Sequence, residues 1–470
     1  MGPKAERLRT CGSLSCPTIP SDERNPLQIR NPRFNIFPLG LPNSWLRPDR
    51  IETPTVNTYR KVPHVMSEHA ILAEDVQFIR SVEKTINSKL LGLQPVVRML
   101  LAGLLSGGHV LLEGNPGLGK TALVKAMAKA VGIERNKVGR IQFTPDLMPS
   151  DITGTLMPAA DGSDRLEFQK GPIFRWLLLA DEINRATPKT QSAMLEAMSE
   201  KQVTVLGTEH DLVPPLTVTD GRGSRTRLRP PFMVMATQNP IDQEGTYNLP
   251  EAQSDRFLFK ILMPFPEPDI LEQIVALQLD QGVGDLLVDA RGSGTAPNDT
   301  GDGSDNLLHI YRLSLGLRTS PGDPLVSTHI RNMVAAGSES AVGRLGLPKR
   351  QAEALEAFLH DYIRYPLGPR AAFAMELGAR SLAALRLYGE NGADNLAEFL
   401  TPSLAEVAVP AIRHRLKLKF GWQSRFTPPT GTSPNARLED LLLQEFIMLC
   451  APPDSTYQEI LRASFATGPG

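Results

Sequence analysis

Cysteine is scarce in this chain: Cys11, Cys16 and Cys450 are the whole complement in 470 residues. Three thiols so placed make neither a metal-ligand pattern nor a disulfide framework, so ordinary reduced cysteines are expected. Long apolar runs are also missing. Stretches such as Val110 to Glu113 and Trp176 to Ala180 fall far short of the roughly 18 residues that a membrane span requires. The polar, Arg-containing N-terminus has no secretory apolar core, so a cytoplasmic setting without membrane contact is expected. An excess of one charge is absent too. Fifty Lys and Arg against 51 Asp and Glu leave a net charge of -1, which argues against a nucleic-acid partner.

What is present is a change of pattern along the chain. Residues 1–65 hold ten of the 40 prolines and show no periodicity, so they are expected to be a disordered leader, with Met66 as an alternative start. From Ala73 apolar residues recur at helical spacing. Short buried-strand patterns then follow at His109 to Glu113, Arg140 to Phe143, Trp176 to Asp181, Phe232 to Thr237 and Phe259 to Met263. Helical patterns stand between some of them, notably Ala122 to Val131 and Lys189 to Lys201. That alternation predicts an α/β domain with a parallel sheet. Pro264 to Pro268 punctuates the chain, and the pattern beyond is almost purely helical: Lys349 to Arg364, Ala371 to Tyr388 and Ser403 to Lys417. A Gly- and Asp-rich stretch, 282–306, reads as a flexible insertion. A short tail, 422–470, contains a further helical stretch at Leu438 to Leu449, and no internal repeat is present.

Gly114-Asn115-Pro116-Gly117-Leu118-Gly119-Lys120-Thr121 sits between a predicted strand and a predicted helix. That is the setting in which backbone N–H groups and a helix N-terminus cradle phosphates. Lys120 is expected to reach the β- and γ-phosphates of ATP, and Thr121 to hold Mg²⁺. The strand Leu177-Leu178-Leu179-Ala180 ends in Asp181-Glu182. Ligands bind at the carboxyl ends of strands in such sheets, so Asp181 is expected in the Mg²⁺ shell and Glu182 as the base that polarises water. A third strand ends in Thr237-Gln238-Asn239-Pro240. Asn239 either caps a turn or orients the water, and beside the other two motifs the second role is expected.

These motifs and their surroundings resemble the MoxR-type AAA+ ATPases, of the helix-2-insert group that includes magnesium chelatase ATPase subunits. The resemblance runs from about Ser81 to Gly421. It rests on Gly107-Gly108-His109-Val110-Leu111-Leu112-Glu113, on Phe143 to Gly154, on Gly171-Pro172-Ile173-Phe174, and on Asp181-Glu182-Ile183-Asn184-Arg185-Ala186. Leu195-Glu196-Ala197-Met198, Gln243-Glu244-Gly245-Thr246-Tyr247 and Asp255-Arg256-Phe257 extend it. It implies a three-layer αβα core at 66–264 and a smaller all-α lid at 265–421. The helix-2 insert would lie near 156–173.

It further implies a homo-oligomer, typically a hexameric ring, in which Arg256 is an arginine finger reaching the γ-phosphate of the adjacent subunit. Arg370, in Gly368-Pro369-Arg370-Ala371, matches the sensor 2 position on a lid helix that folds over the bound nucleotide. The usual Ser before Pro-Arg is replaced by Gly368. Gly92-Leu93-Gln94 takes the place of the adenine-side motif, with Leu93 intervening. Arg413-His414-Arg415-Leu416 matches the arginine-rich end of the lid, either a solvated helix end or a subunit contact. The implied activity is ATP hydrolysis by a remodelling or maturation chaperone, and the implied substrate is a separate protein, often one with a von Willebrand A-type domain.

One departure stands out. The connection 213–231 is longer than the family's short hairpin and carries Arg222, Arg225, Arg227 and Arg229. Near a ring pore it would grip an acidic partner or nucleic acid; as a solvated loop tip it would do neither. A nucleic-acid-stimulated motor and a nucleotide-gated scaffold with low turnover remain the rival functions.

Overall fold

Short Val-, Leu- and Ala-rich runs, too brief for helices, need cover on both faces, and in a parallel sheet they get it. The computed structural model describes residues 71–115, 117–159, 165–205, 207–219, 225–239, 246–286, 304–337, 339–387, 395–429 and 436–466. Helices α1 (Ala73–Asn87) and α2 (Gln94–Ser106) lead into β1 (Val110–Glu113), α3 (Lys120–Val131) and β2 (Val138–Gln142). Next come α4 (Pro149–Thr153), the hairpin β3 (Gly154–Pro158) and β4 (Leu166–Lys170), then β5 (Leu177–Asp181) and α5 (Pro188–Glu200). Two more hairpins follow, β6 (Gln202–Val205) with β7 (Thr208–Asp211) and β8 (Leu216–Thr219) with β9 (Arg225–Leu228). The α/β part closes with β10 (Met233–Gln238), α6 (Glu251–Ser254) and β11 (Phe259–Leu262).

The strands β11-β1-β10-β5-β2, in that order, form one sheet, and the pairs are parallel. Every residue of β10 is buried, as are the first four of β5, which explains their unbroken apolar sequence. The strand ends are polar and fall on one edge: Glu113 is level with Gln238, and Gln142 with Asp181.

The helical half comprises α7 (Pro268–Leu286), α8 (Ser304–Thr319), α9 (Pro324–Ala335), α10 (Glu339–Val342) and α11 (Lys349–Tyr362). The short strand β12 (Ile363–Tyr365), α12 (Pro369–Arg386), α13 (Leu396–Ile412), β13 (Lys417–Leu418), α14 (Leu438–Cys450) and α15 (Ser455–Ala466) complete it. All these elements lie in one compact unit, residues 63–470. Its main core runs without a break from α1 and α2 into α12, α13 and α14. Each fully buried Leu, Ile or Phe there contributes about 1.5–3 kcal/mol. The fit is close where α12 crosses the sheet: a Cβ added at Gly378 would lie 2.8 Å from Phe259 of β11 and 2.7 Å from Val407 of α13. Asp75 of α1, 1% exposed, is held by His309 and Arg312 of α8 at 2.6 and 2.7 Å.

Several details depart from the sequence expectations. The helix expected from Ser403 begins at Leu396 and passes through Pro402 and Pro410. Proline disfavours helix interiors, but burial of Leu400, Leu404, Val407 and Ala411 carries the helix through. In the tail, Leu442, Phe446, Ile447 and Leu461 pack into the main core. Of the expected flexible insertion, 282–286 and 304–306 are helical, while 287–303 lie outside the described residues. The leader, 1–65, with Cys11 and Cys16, lies outside them as well, and Cys450 is free and buried. Among the described residues no helix is long and apolar enough to cross a membrane.

The basic connection is itself a hairpin, with Val218 and Leu228 packed on Leu308 of α8. Its arms are therefore anchored; Arg222 falls outside the described residues. Within the helix-2 insert, Phe168 packs against Phe174 and His210. A Cβ at Gly154 or Gly171 would sit 2.3 or 2.2 Å from a backbone oxygen, so both glycines serve the insert's own close packing. Met157 and Leu166 remain exposed on the hairpin.

Candidate functional site

At the carboxyl edge of the sheet, β1 ends in Glu113 and the chain turns back through Gly114 to Gly119 into α3. Gly117 and Gly119 adopt φ of +87° and +76°, and a Cβ on either would meet nothing within 4 Å. Left-handed glycines facing open space leave backbone N–H groups free to converge on an anion. Gly119 directly precedes α3, whose N-terminal end adds favourable partial charge. Lys120 is buried, and its Nζ donates to the Gly114 carbonyl at 2.6 Å, folded across its own loop. Burial lowers its pKa, while Asp181, Glu182 and Glu113 oppose that shift. Asn115, Leu118 and Thr121 lie on the same turn, with Pro116 outside the described residues.

Two strands away, Asp181 and Glu182 are each held by polar partners. Asp181 accepts from Thr237 Oγ1 and from Arg140 Nη2, both at 2.7 Å. Glu182 takes a left-handed φ of 57°, uncommon for a residue with a Cβ and typical of strain held at a functional turn. Its N–H donates to Thr237 Oγ1 at 2.8 Å. Its carboxylate accepts from Asn239 Nδ2 at 3.2 Å, Gln142 Nε2 at 3.0 Å and Arg185 Nε at 3.0 Å. Asn239, 1% exposed, is fixed in turn by reciprocal bonds with Asn184. Lys120, Asp181, Glu182 and Asn239 thus gather at one edge. Chemically, that edge offers a cation and an anion cradle beside two carboxylates, one of which is gripped by amides that can also orient water.

Four contributors escaped the sequence reading: Arg140, Gln142, Thr237 and Arg185. A signal existed for Gln142, since the strands β1, β2, β5 and β10 all end in an acid or an amide at this edge. Glu113 belongs to the same row. Burial raises its pKa, but Lys260 at 2.9 Å and Gln238 outweigh burial and hold the carboxyl below its ordinary value.

Arg256 and Arg370 are elsewhere. Leu258 N–H bonds to the His109 carbonyl, and Phe259 is level with Val110, so the segment before β11 lies at the amino edge, the opposite end of β1 from the phosphate loop. There Arg256 Nη1 donates to Leu195 O and Ser199 Oγ of α5, both at 2.7 Å. Arg370, at the start of α12, pairs with Asp255 at 3.1 Å and is exposed. Arg370, the expected sensor 2 residue, is thus held by Asp255 at the amino edge. Its Asp255 partner directly precedes Arg256, at the end of β1 opposite the phosphate loop. Gly92, of the expected adenine-side motif, approaches Ile270 of α7, with 3.0 Å to an added Cβ.

Comparison with known proteins bears on this arrangement. A protein-family profile, the ATPase family associated with various cellular activities (AAA), matches residues 109–259. The chain is 48% identical over 193 residues to Uncharacterized protein YeaC of Bacillus subtilis, spanning 41% of this chain and 54% of that protein. It is 35% identical over 356 residues to Chaperone MoxR1 of Mycobacterium tuberculosis, spanning 74% of this chain and 78% of that protein. A solved structure of a candidate ATPase from Cytophaga hutchinsonii is similar at 30% identity and a TM-score of 0.55, over 78% of this chain and 94% of that one.

Proposed function

The chain belongs to the MoxR-type AAA+ ATPases, and from that membership we propose that it hydrolyses ATP in a ring, typically a hexamer, whose sites are each completed by a neighbouring copy. One observation carries the reading: Arg256 and Arg370 lie at the sheet edge opposite Lys120. A phosphate cradled by Gly114 to Thr121 meets these arginines only if a second copy brings them.

The chemistry follows from the residues. Lys120 leaves the Gly114 carbonyl for the β- and γ-phosphates. Glu182, held by Asn239 and Gln142, draws a proton from the attacking water. The oxygen donors of Thr121 and Asp181 suit a hard divalent cation. Mg²⁺ held there would withdraw charge from the phosphate oxygens. Arg256 of the adjacent copy neutralises charge developing on the γ-phosphate. Conversion of turnover into remodelling is assigned to movement of the helical half and the β3–β4 hairpin. The exposed Met148, Met157 and Leu166 support contact with a separate protein partner, of the von Willebrand A type that the family resemblance implies.

Turnover measured against protein concentration tests the shared site. Specific activity should rise steeply as the chain assembles. A flat specific activity extending down to monomeric protein would remove the proposal.

A further inference from the structure

The helical half contributes Arg415, a buried cation that lies outside the phosphate site yet grips the segment carrying Arg256. Its side chain is 4% exposed. A guanidinium has five N–H donors, and here five acceptors meet them. Nε donates to Asp255 Oδ1 at 2.9 Å. One terminal nitrogen donates to Leu258 O at 2.9 Å and Ala411 O at 2.5 Å. The other donates to Asp255 O at 3.1 Å and Phe257 O at 2.5 Å. The carbonyls on both sides of Arg256 are thus held by a single nitrogen. Asp255, gripped on Oδ1 by Arg415, holds Arg370 through Oδ2. The neighbouring residues reinforce the clamp: His414 Nε2 donates to Phe257 O at 2.9 Å and Arg413 Nη1 to Lys260 O at 2.8 Å.

We infer that Arg415 is a positioning residue for the arginines offered to the neighbouring copy: it fixes the backbone around Arg256 and, through Asp255, the place of Arg370. The inference rests on the shared-site reading above. The physical ground is its donor count. A buried guanidinium would more cheaply be an apolar residue, since desolvating a charge is costly. Here that cost is offset by satisfying three carbonyls, those of Asp255, Phe257 and Leu258, in the turn that leads into β11. Lysine, with three donors and no fork, cannot reproduce the five bonds.

The test is subunit complementation. Arg415→Lys rings should lose between about 10- and 100-fold in turnover, the scale of a roughly 1 Å misplacement, with the KM for ATP little changed. Mixing Arg415→Lys subunits with Lys120→Ala subunits should restore turnover, because the first keep a sound phosphate site and the second a sound Arg256. Arg256→Ala mixed with Lys120→Ala is the reference pair. Rescue of the reference pair without rescue of Arg415→Lys would overturn the positioning role alone. Failure of the reference pair would overturn the shared-site reading and the inference with it. If Arg415→Lys does not fold, Asp255→Asn keeps the backbone clamps and weakens the side-chain links from Asp255 to Arg415 and to Arg370. A wild-type rate in that variant, or in Arg415→Lys, also overturns the inference.

Discussion

The two edges of the sheet solve different problems. At the carboxyl edge, Lys120, Asp181, Glu182 and Asn239 are held by bonds that a bound nucleotide can replace, such as Lys120 to the Gly114 carbonyl and Arg140 to Asp181. At the amino edge the key cation is almost fully buried and has every donor engaged. Arg415 is joined to residues about 160 positions away in the chain. The contrast teaches that the edge proposed to bind and react is built from exchangeable polar contacts, while the edge that would serve another copy is set rigidly by packing.

Substitutions can break that contrast, and the largest effect belongs to the reacting edge. Glu182→Gln should lower turnover by about 10² to 10⁴-fold, the scale of a lost general base, while ATP binding persists. Phosphate release and nucleotide titration measure the two separately, and wild-type turnover would remove Glu182 as the base. Arg256→Ala should cost about 10³-fold, the lower end for an arginine supplied by a neighbour. The loss should vanish in rings where intact fingers face intact sites.

Packing offers a smaller lever on the amino edge. In Gly378→Ala the new methyl would press on Phe259 of β11 and Val407. Overpacking of this kind costs about 1–3 kcal/mol, read as a lower denaturation midpoint. An unchanged midpoint would mean that α12 sits more loosely on β11 than described.

Acid provides the mildest probe. Burial lowers the pKa of His109, at the amino edge, and of His329, in the helical half, from 6.5 to about 4. The unfolded chain therefore binds more protons between those values, and stability present above pH 6.5 is lost as the pH falls toward 4. Each histidine should cost about 1.4 kcal/mol at pH 5.5 relative to pH 7.5. Melting curves at the two pH values measure the loss, and a His329→Gln variant should show a shallower dependence.

The carboxyl edge was legible because its parts are local. A strand, a glycine turn and a helix announce Gly114 to Thr121 within a dozen residues. Asp181 and Asn239 each stand at the end of an apolar run. The five sheet strands were placed to within two residues at either end by the same runs. Gln142 carried a weaker signal of the same type, as a polar residue closing a strand. Arg140 carried none, and Arg185, although inside the Asp181 to Ala186 motif, carried no sign of its role, since an arginine near a strand end or in a turn is ordinary until its partner is known. The start of α13 was misplaced because proline statistics describe the chain alone, whereas burial of Leu400 and Leu404 acts only in the folded protein.

By itself, the sequence determined the residues of one edge: a glycine turn, a lysine, two carboxylates and an amide, in the strand-and-helix order that lets them meet. Only the tertiary structure decided where the arginines go. Arg370 and Arg415 converge on Asp255 across as many as 160 residues of chain, while Arg256 beside it reaches back to α5, and no local pattern encodes those distances. The physical reason is the difference between a turn, whose geometry follows from adjacent residues, and a buried ion, which is tolerated only where the whole fold supplies its partners.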